Sequence, residues 1–401
     1  MTFDQLWTDL HPVGRDDRSG GYRRFVWSAE DLQCREWFVA EAARRSLDVV
    51  TDRNGNLFAW WGNPDASGPG VVTGSHLDSV PDGGAYDGPL GVVSAFAAVD
   101  LLRSKGFQPA RPLGVAAFAD EEGARFGIAC AGSRLLTGAL TPARALGLTD
   151  NEGTTYASAM SAAGHDPGGV GRDEETLRRI GTFVELHVEQ GRGLVDLDAP
   201  VALAESIWPH GRWRFTFRGE ANHAGTTLME DRHDPMLTYA MTALAANKQA
   251  RLAGARATFG RIEVEPNGTN AVPSEVRAWL DARAADDETL GILVGTIGKQ
   301  ATDRASRDGT TTEVTPESLT PLVMFDHALR QRLDERLGGV PTLPTQAGHD
   351  AGILADAGVP VAMLFVRNPT GVSHSPAEFA ERDDCLAGVD ALAAVLEELL
   401  A

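Results

Sequence analysis

The sequence predicts an α/β protein: a mixed, mostly parallel sheet flanked by helices, with a smaller α+β unit of order βαββαβ inserted into it. Three observations lead there. Short apolar runs of strand length, at residues 70–74, 113–119, 182–186 and 359–366, are interspersed with stretches of helical periodicity, the pattern of a sheet covered on both faces. The first three of these runs stop at a histidine or at carboxylates. Between them and the last run, the alternation changes character for about 115 residues and then resumes. A chain of 401 residues is long enough for two or three domains.

Taken in order, Ser28-Ala-Glu-Asp31 reads as a capping box opening a helix that runs to about residue 47. Residues 49–61 read as a hairpin around Asn54-Gly55, a two-residue turn signal. Residues 90–105 carry helical periodicity and stop at Gly106. The Gly-rich stretch 163–172 reads as a surface loop. In the middle, strands are expected at 213–218, 258–264, 276–283 and 311–314, and helices at 235–252 and 288–307. A closing helix is expected at 383–400. The expected division is therefore residues 1–210 with 323–401 as one domain and residues 211–322 as the insert.

Composition excludes several classes of function. Hydrophobic residues make up 43% and charged residues 23%, which allows a sizeable core. Asp plus Glu number 56 against 36 Lys plus Arg, a net charge of −20 that argues against nucleic acid as a partner. A small anionic substrate stays compatible, because a local pocket can oppose the global field. No run of about 18 apolar residues suggests a membrane span. The first 30 residues lack the basic head and apolar stretch of a signal peptide. Cys34, Cys130 and Cys385 are odd in number and far apart, with no CxxC, so buried thiols in a reducing cytoplasm are expected.

In open α/β sheets, ligands bind beyond the carboxyl ends of the strands. His76, with Asp78 two residues on, ends the first run, and alternation would put both on one side. Asp87 follows in the Gly-rich turn Asp82-Gly-Gly-Ala-Tyr-Asp-Gly88. Asp120-Glu121-Glu122 ends an otherwise uncharged strand, and three adjacent carboxylates there call for cations. His187 ends the next run, and His374 lies beyond the last. A set of nitrogen and oxygen donors without thiolate suits Zn²⁺ or Mn²⁺, and equally Co²⁺ or Ni²⁺, without choosing among them.

Seven pieces occur in one order: Gly74-Ser-His-Leu-Asp-Ser79, Tyr86-Asp-Gly-Pro-Leu-Gly91, Asp120-Glu-Glu-Gly-Ala-Arg-Phe126, Glu185-Leu-His-Val-Glu-Gln-Gly191, Asn222-His-Ala-Gly-Thr-Thr227, Ala347-Gly-His-Asp-Ala351 and Ser373-His-Ser-Pro376. Together they resemble the ureidohydrolase branch of the two-metal aminoacylase/carboxypeptidase superfamily, which holds allantoate amidohydrolases, N-carbamoyl-L-amino-acid hydrolases and β-ureidopropionases. The resemblance runs from about Arg23 to the C-terminus. It implies an exopeptidase-like catalytic domain holding two divalent metal ions, and an inserted dimerisation or lid domain. Asp87 would bridge the metals, His76 and His187 would complete one site, and Glu122 and His374 the other. Glu121 would be the general base and Asp78 the partner of His76. His223 would reach a neighbouring subunit's active site and stabilise the oxyanion, which makes a homodimer the expected state. Asn270 and Arg283 would hold the substrate carboxylate, with Gln190, His349 and Arg212 as further substrate contacts.

The activity so implied is hydrolysis of the ureido (N-carbamoyl) amide of a small carboxylate, releasing ammonia and carbon dioxide. Allantoate is placed slightly ahead of N-carbamoyl-L-amino acids. A dipeptidase or N-acyl-L-amino-acid deacylase is the alternative within the superfamily, and a non-catalytic metal-bearing dimer the alternative outside enzymes. His187, where peptidase branches usually carry a carboxylate, and Gln190 count against the first; Glu121 counts against the second. Leu228 replaces a usual proline and Gln346 a common serine, and Gln346 bears on the pocket.

Overall fold

In a computed structural model, which describes residues 2–401, the strands β1 (Asp48–Thr51), β2 (Leu57–Trp61), β3 (Gly70–His76), β4 (Leu113–Phe118), β5 (Ile180–Val188) and β6 (Val201–Ile207) belong to one large sheet. The strands β7 (His210–Arg218), β8 (Asn222–His223), β9 (Arg256–Glu265), β10 (Ala271–Val272), β11 (Glu275–Arg283) and β12 (Thr311–Thr320) form two smaller sheets. The chain then returns to the first sheet with β13 (Val323–Met324), β14 (Thr342–Thr345) and β15 (Val361–Val366). Contacts divide the chain into two units: one reaches Ser206 and resumes at Met324, and the other is Ile207–Val323.

The nine-stranded sheet has the order β1-β2-β4-β3-β5-β15-β6-β13, with β14 also paired to β6. Its centre is parallel, because β4, β3, β5 and β15 all run the same way. The antiparallel pairs lie outside this centre, β1 with β2, β2 with β4, and β15 with β6. Every residue of β3, β4 and β15 is buried, which explains why these strands read as apolar runs rather than alternating ones. The helix Pro89–Ser104 is buried on nearly all sides and shares a core with Val71, Val115, Leu186 and Leu364 from the sheet and with Leu392 and Leu396 of the closing helix Arg382–Leu400. Residues of the opposite parity, such as Val72, Ala116, Phe183 and Phe365, are buried too, so both faces are covered.

In the second unit, β12-β7-β11-β9 form an antiparallel sheet. Phe215, Phe217, Val276, Leu280 and Ala282 form a core with Ala246 and Ala250 of the helix Pro235–Leu252 and with Leu290, Leu293 and Ile297 of the helix Asp287–Asp308. The alternate residues of β7 and β11 carry Arg212, Arg214, Arg277, Asp281 and Arg283. No helix among the described residues is long and apolar enough to cross a membrane.

Several local expectations are corrected. The hairpin β1–β2 forms, but residues 52–56 connect it, not a two-residue turn. The Asp52 carboxylate accepts from the backbone of Asn54 and Asn56 and from the Asn56 amide, which stabilises the wider loop. Asp31 caps the amide of Trp27 instead of that of Ser28, although Ser28 accepts from Asp31 as a capping residue should. The Gly-rich loop is not wholly superficial, since Val170 and Gly171 are buried and Gly171 exchanges two hydrogen bonds with Asn54. The strand expected at 311–314 continues to Thr320 across a register shift at Pro316. The strand β6 and the helix His327–Leu337 had no distinct signal in the sequence pattern.

Candidate metal centre

The four parallel strands deliver their carboxyl ends to one edge of the sheet. His76 is the last residue of β3, and His187 lies one residue before the end of β5. Asp120, Glu121 and Glu122 follow β4, and residues 367–378 follow β15. The loop between β3 and its helix folds back over the His76 ring. A Cβ at Gly88, whose φ is +82°, would sit 2.4 Å from that ring, so only glycine permits the approach that sets Asp87 beside it.

Asp87 is the shared element. Its Oδ1 lies 3.1 Å from His187 Nε2 and 3.5 Å from His76 Nε2. Its Oδ2 lies 3.5 Å from His374 Nε2, and that nitrogen is 3.6 Å from Glu122 Oε2. Two groups of donor atoms result, His76-Asp87-His187 and Asp87-Glu122-His374, each within 4.8 Å. A third group, Glu185-His187-His349, adjoins them, with the His187 and His349 rings 4.6 Å apart.

These donors fit divalent cations. His76 Nδ1 faces the backbone carbonyl of Asp78 at 3.2 Å, and His187 Nδ1 that of Val188 at 2.9 Å. A carbonyl only accepts, so each Nδ1 carries a proton, and Nε2 is the nitrogen that deprotonation frees for a cation. Both Nε2 atoms are buried without a hydrogen-bond partner. The buried charges of the group shift one another. Burial raises Glu121 well above the usual carboxylate range, against His76 and with Asp350 and Glu122 adding to the shift. Burial and Asp87 raise Glu122 likewise. Burial lowers the His76 imidazole, but Glu121, Asp78 and Asp87 outweigh it and hold the ring well above its ordinary value. Asp87 goes the other way: burial would raise it, yet His187 and His76 drive it well down.

Asp78 contacts His76, but not by strand alternation, since β3 ends at His76. Its carboxylate lies 3.4 Å from His76 Nδ1 and accepts the backbone N–H groups of Glu121 at 3.1 Å and Glu122 at 3.0 Å. Glu121 Oε2 is 3.7 Å from His76 Nε2, and its Oε1 accepts from the Cys130 thiol at 3.4 Å. Gln190 donates to Asp87 Oδ2 at 2.8 Å and to Ser373 Oγ at 3.2 Å.

The remaining candidates lie on the second unit in two places. His223 is exposed on β8, paired with Ala271, and the amide of Ala224 donates to the carbonyl of Asn270, so His223 and Asn270 are neighbours. The His223 Nδ1 accepts from the amides of Gly225 and Thr226 at 3.0 and 3.1 Å, which leaves the ring proton on Nε2. Arg212 and Arg283 meet at Asp281, which sits opposite Arg212 in the β7–β11 register. The Arg283 fork spans Asp281 at 2.8 and 3.1 Å, and Arg212 Nε is 3.9 Å from it. The fork expected to stand ready for a substrate carboxylate thus already holds an internal one, because i and i+2 share a strand face.

Sequence reasoning missed four residues in this region. Glu185 stands in the middle of β5 on the same face as His187, and a carboxylate in a buried strand was a usable signal. Ser75 donates to it at 2.7 Å. Cys130 touches Glu121 from a separate segment, and Glu378 touches the Asp87 loop across nearly 300 residues, with no sequence signal for either.

Residues 72–398 match the description of peptidase family M20/M25/M40. The N-carbamoyl-L-amino acid amidohydrolase of Geobacillus stearothermophilus is 37% identical, the alignment covering 97% of this chain and 96% of that protein. The allantoate amidohydrolase of Escherichia coli is 31% identical over 96% of this chain and 94% of the other. The crystal structure of a hydantoinase/carbamoylase family amidase from Burkholderia vietnamiensis superimposes with a TM-score of 0.88, at 27% identity, covering all of this chain and 98% of that one. By fold, by donor set and by sequence over most of its length, the chain belongs to peptidase family M20/M25/M40, a family of metal-dependent hydrolases.

Proposed function

We propose that the protein hydrolyses the ureido amide of a small N-carbamoyl carboxylate, yielding an amine, carbon dioxide and ammonia. The observation that carries this reading is the pair of donor groups joined at Asp87, with Glu121 beside them. His76, Asp87 and His187 would hold one divalent ion, and Asp87, Glu122 and His374 the other. Bound there, the ions would supply Lewis acidity for the ureido carbonyl and lower the pKa of a water towards neutrality. The donor set suits zinc or manganese, with cobalt and nickel compatible.

The chain's own residues do the rest. Glu121 takes the proton of the attacking water and returns it to the departing nitrogen. His223, with its proton on Nε2, is a ready donor to a developing oxyanion. Arg283 and Asn270 bind the substrate carboxylate, the arginine exchanging Asp281 for it, while Arg212, Gln190 and His349 shape the remaining polar contacts.

The working form in this reading is a cytoplasmic homodimer in which His223 serves the partner's centre. Support comes from the helix Pro235–Leu252, which exposes Leu237, Met241 and Leu244 at spacings of four and three, an apolar stripe suited to a second copy. Relatives named for N-carbamoyl-L-amino acids are 30 to 37% identical and one named for allantoate is 31% identical, over similar spans. The 37% identity to one of the former supports N-carbamoyl-L-amino acids as the first substrates to assay. The test is ammonia release by metal-reconstituted protein from N-carbamoyl-L-amino acids and allantoate, with N-acetyl-L-amino acids and dipeptides assayed for deacylation. Turnover confined to the latter two would overturn the proposal.

A further inference from the structure

Glu378 has no part in the chemistry described so far, yet it is 4% exposed and sits four residues beyond His374. Its Oε1 accepts the backbone N–H groups of both Tyr86 and Asp87 at 2.9 Å. Its Oε2 faces Ser373 Oγ at 3.2 Å, and the same hydroxyl lies 3.1 Å from Asp87 Oδ2. One carboxylate therefore ties the loop that carries Asp87 to the loop that carries His374. The approach needs a glycine, since a Cβ on Gly84 would lie 2.3 Å from Glu378 Oε1.

The two donor groups differ in how their members are fixed. His76 and His187 stand on adjacent buried strands, whose ladder sets their spacing. His374 is on a loop, half exposed, with a left-handed φ of +55°. It has no ladder to hold it, and Asp87 also lies outside any strand. Their separation is the distance Glu378 spans.

We infer that Glu378 is a positioning residue: by clamping the Asp87 loop to the His374 loop, it sets the geometry of the group Asp87-Glu122-His374 and governs the second ion, both of whose loop ligands it ties, more than the first, which shares only Asp87 with the clamp. The inference rests on the two-ion reading proposed above. Residues that orient metal ligands typically contribute about 10–100-fold in affinity. Glu378→Ala should therefore weaken the second ion by about that factor, and the first, which keeps His76 and His187 on their strands, by clearly less. Glu378→Gln retains an oxygen to accept both amides and should restore most of the loss. Gly84→Ala leaves Glu378 chemically intact, displaces its carboxylate, and should reproduce the loss.

The experiment is calorimetric titration of metal-free protein with Zn²⁺, together with the visible spectrum of the Co²⁺ form, for the wild type and the three variants. Two wild-type equivalents, with the second weakened more than the first in Glu378→Ala and Gly84→Ala and recovered in Glu378→Gln, is the expected result. Two equivalents of unchanged affinity in Glu378→Ala would overturn the inference and leave the two-ion reading standing. Equal weakening of both ions, or no recovery in Glu378→Gln, would also overturn it. A wild type that takes up a single ion would overturn the two-ion reading and the inference with it. If Glu378→Ala does not fold, Gly84→Ala with unchanged second-ion affinity overturns the inference.

Discussion

The Asp78 carboxylate accepts the backbone N–H of Glu121 at 3.1 Å, and its other oxygen accepts that of Glu122 at 3.0 Å. Two residues that follow β4 are thereby held by their main chain, beside the hydrogen bond that the Glu121 carbonyl accepts from the Cys130 amide. Their side chains then point into a region where burial and neighbouring acids raise both carboxyl groups. Asp78 thus acts on the proposed base through its backbone as well as on the His76 ring.

Asp78→Asn tests this. An asparagine keeps one acceptor oxygen but turns its NH₂ towards an amide donor, so one of the two backbone hydrogen bonds is lost and replaced by repulsion. Metal affinity should fall by about 10–100-fold, and kcat should fall even at saturating metal. Unchanged affinity and turnover would mean that the Glu121-Glu122 segment is fixed by other means.

Glu121→Gln preserves size and the acceptor that the Cys130 thiol reaches, but it cannot take a proton. Turnover of N-carbamoyl substrates should drop at least about 10²-fold, with both ions still bound. Mass spectrometry of the metallated protein checks occupancy beside the rate assay. Near-wild-type turnover would place the base elsewhere.

What the sequence made legible follows from where the information is local. A parallel strand buried on both faces is an apolar run, so its carboxyl end can be read directly, and His76, Glu122 and His187 lie at or within a few residues of such ends. Asp87 and His374 lie on loops, where position marks them as donors but only the motif resemblance pairs them on one ion; the structure brings them within reach of the others. Glu378 is different in kind. A glutamate in a loop near a histidine reads as a solvated charge, and only the fold shows that it meets Tyr86 and Asp87. The Arg283–Asp281 pair follows from i, i+2 neighbours on one strand face, whereas the motif around Arg283 points to carboxylate recognition instead. The Asn54-Gly55 signal failed because Asp52, two residues earlier, organises a wider loop with its own carboxylate.

Metal uptake should release protons and strengthen as pH rises. The His76 imidazole is held above its ordinary value of 6.5 by Glu121, Asp78 and Asp87, and Asp87 raises His187 in the same sense. In metal-free protein these rings keep protons at pH values where a free histidine is neutral. A cation needs the neutral ring, so the protons leave on binding. The raised Glu121 and Glu122 act in the same direction. Affinity should therefore climb with pH and keep climbing where a free histidine would already be neutral, and titrations in two buffers of different ionisation enthalpy should give different apparent heats. Heats independent of the buffer would show that the donors are already deprotonated.

The last prediction concerns assembly. His223 stands on a two-residue strand of the second unit, and backbone amides hold its Nδ1 so that Nε2 donates outward. The proposed ligands belong to the first unit. If the histidine serves the partner's centre, a Glu121→Gln chain and a His223→Ala chain fail for different reasons and can complement each other. In their heterodimer, one centre combines an intact Glu121 with an intact partner histidine, and the other lacks both. Random exchange makes about half of all dimers mixed, each with one working site of two, so about a quarter of wild-type activity should return by the symmetry of a two-fold dimer. Native mass spectrometry on the same mixture verifies exchange. Mixed dimers without recovered activity would show that His223 does not complete a partner's site, and the proposed oxyanion donor would then have to come from the same chain as the metals.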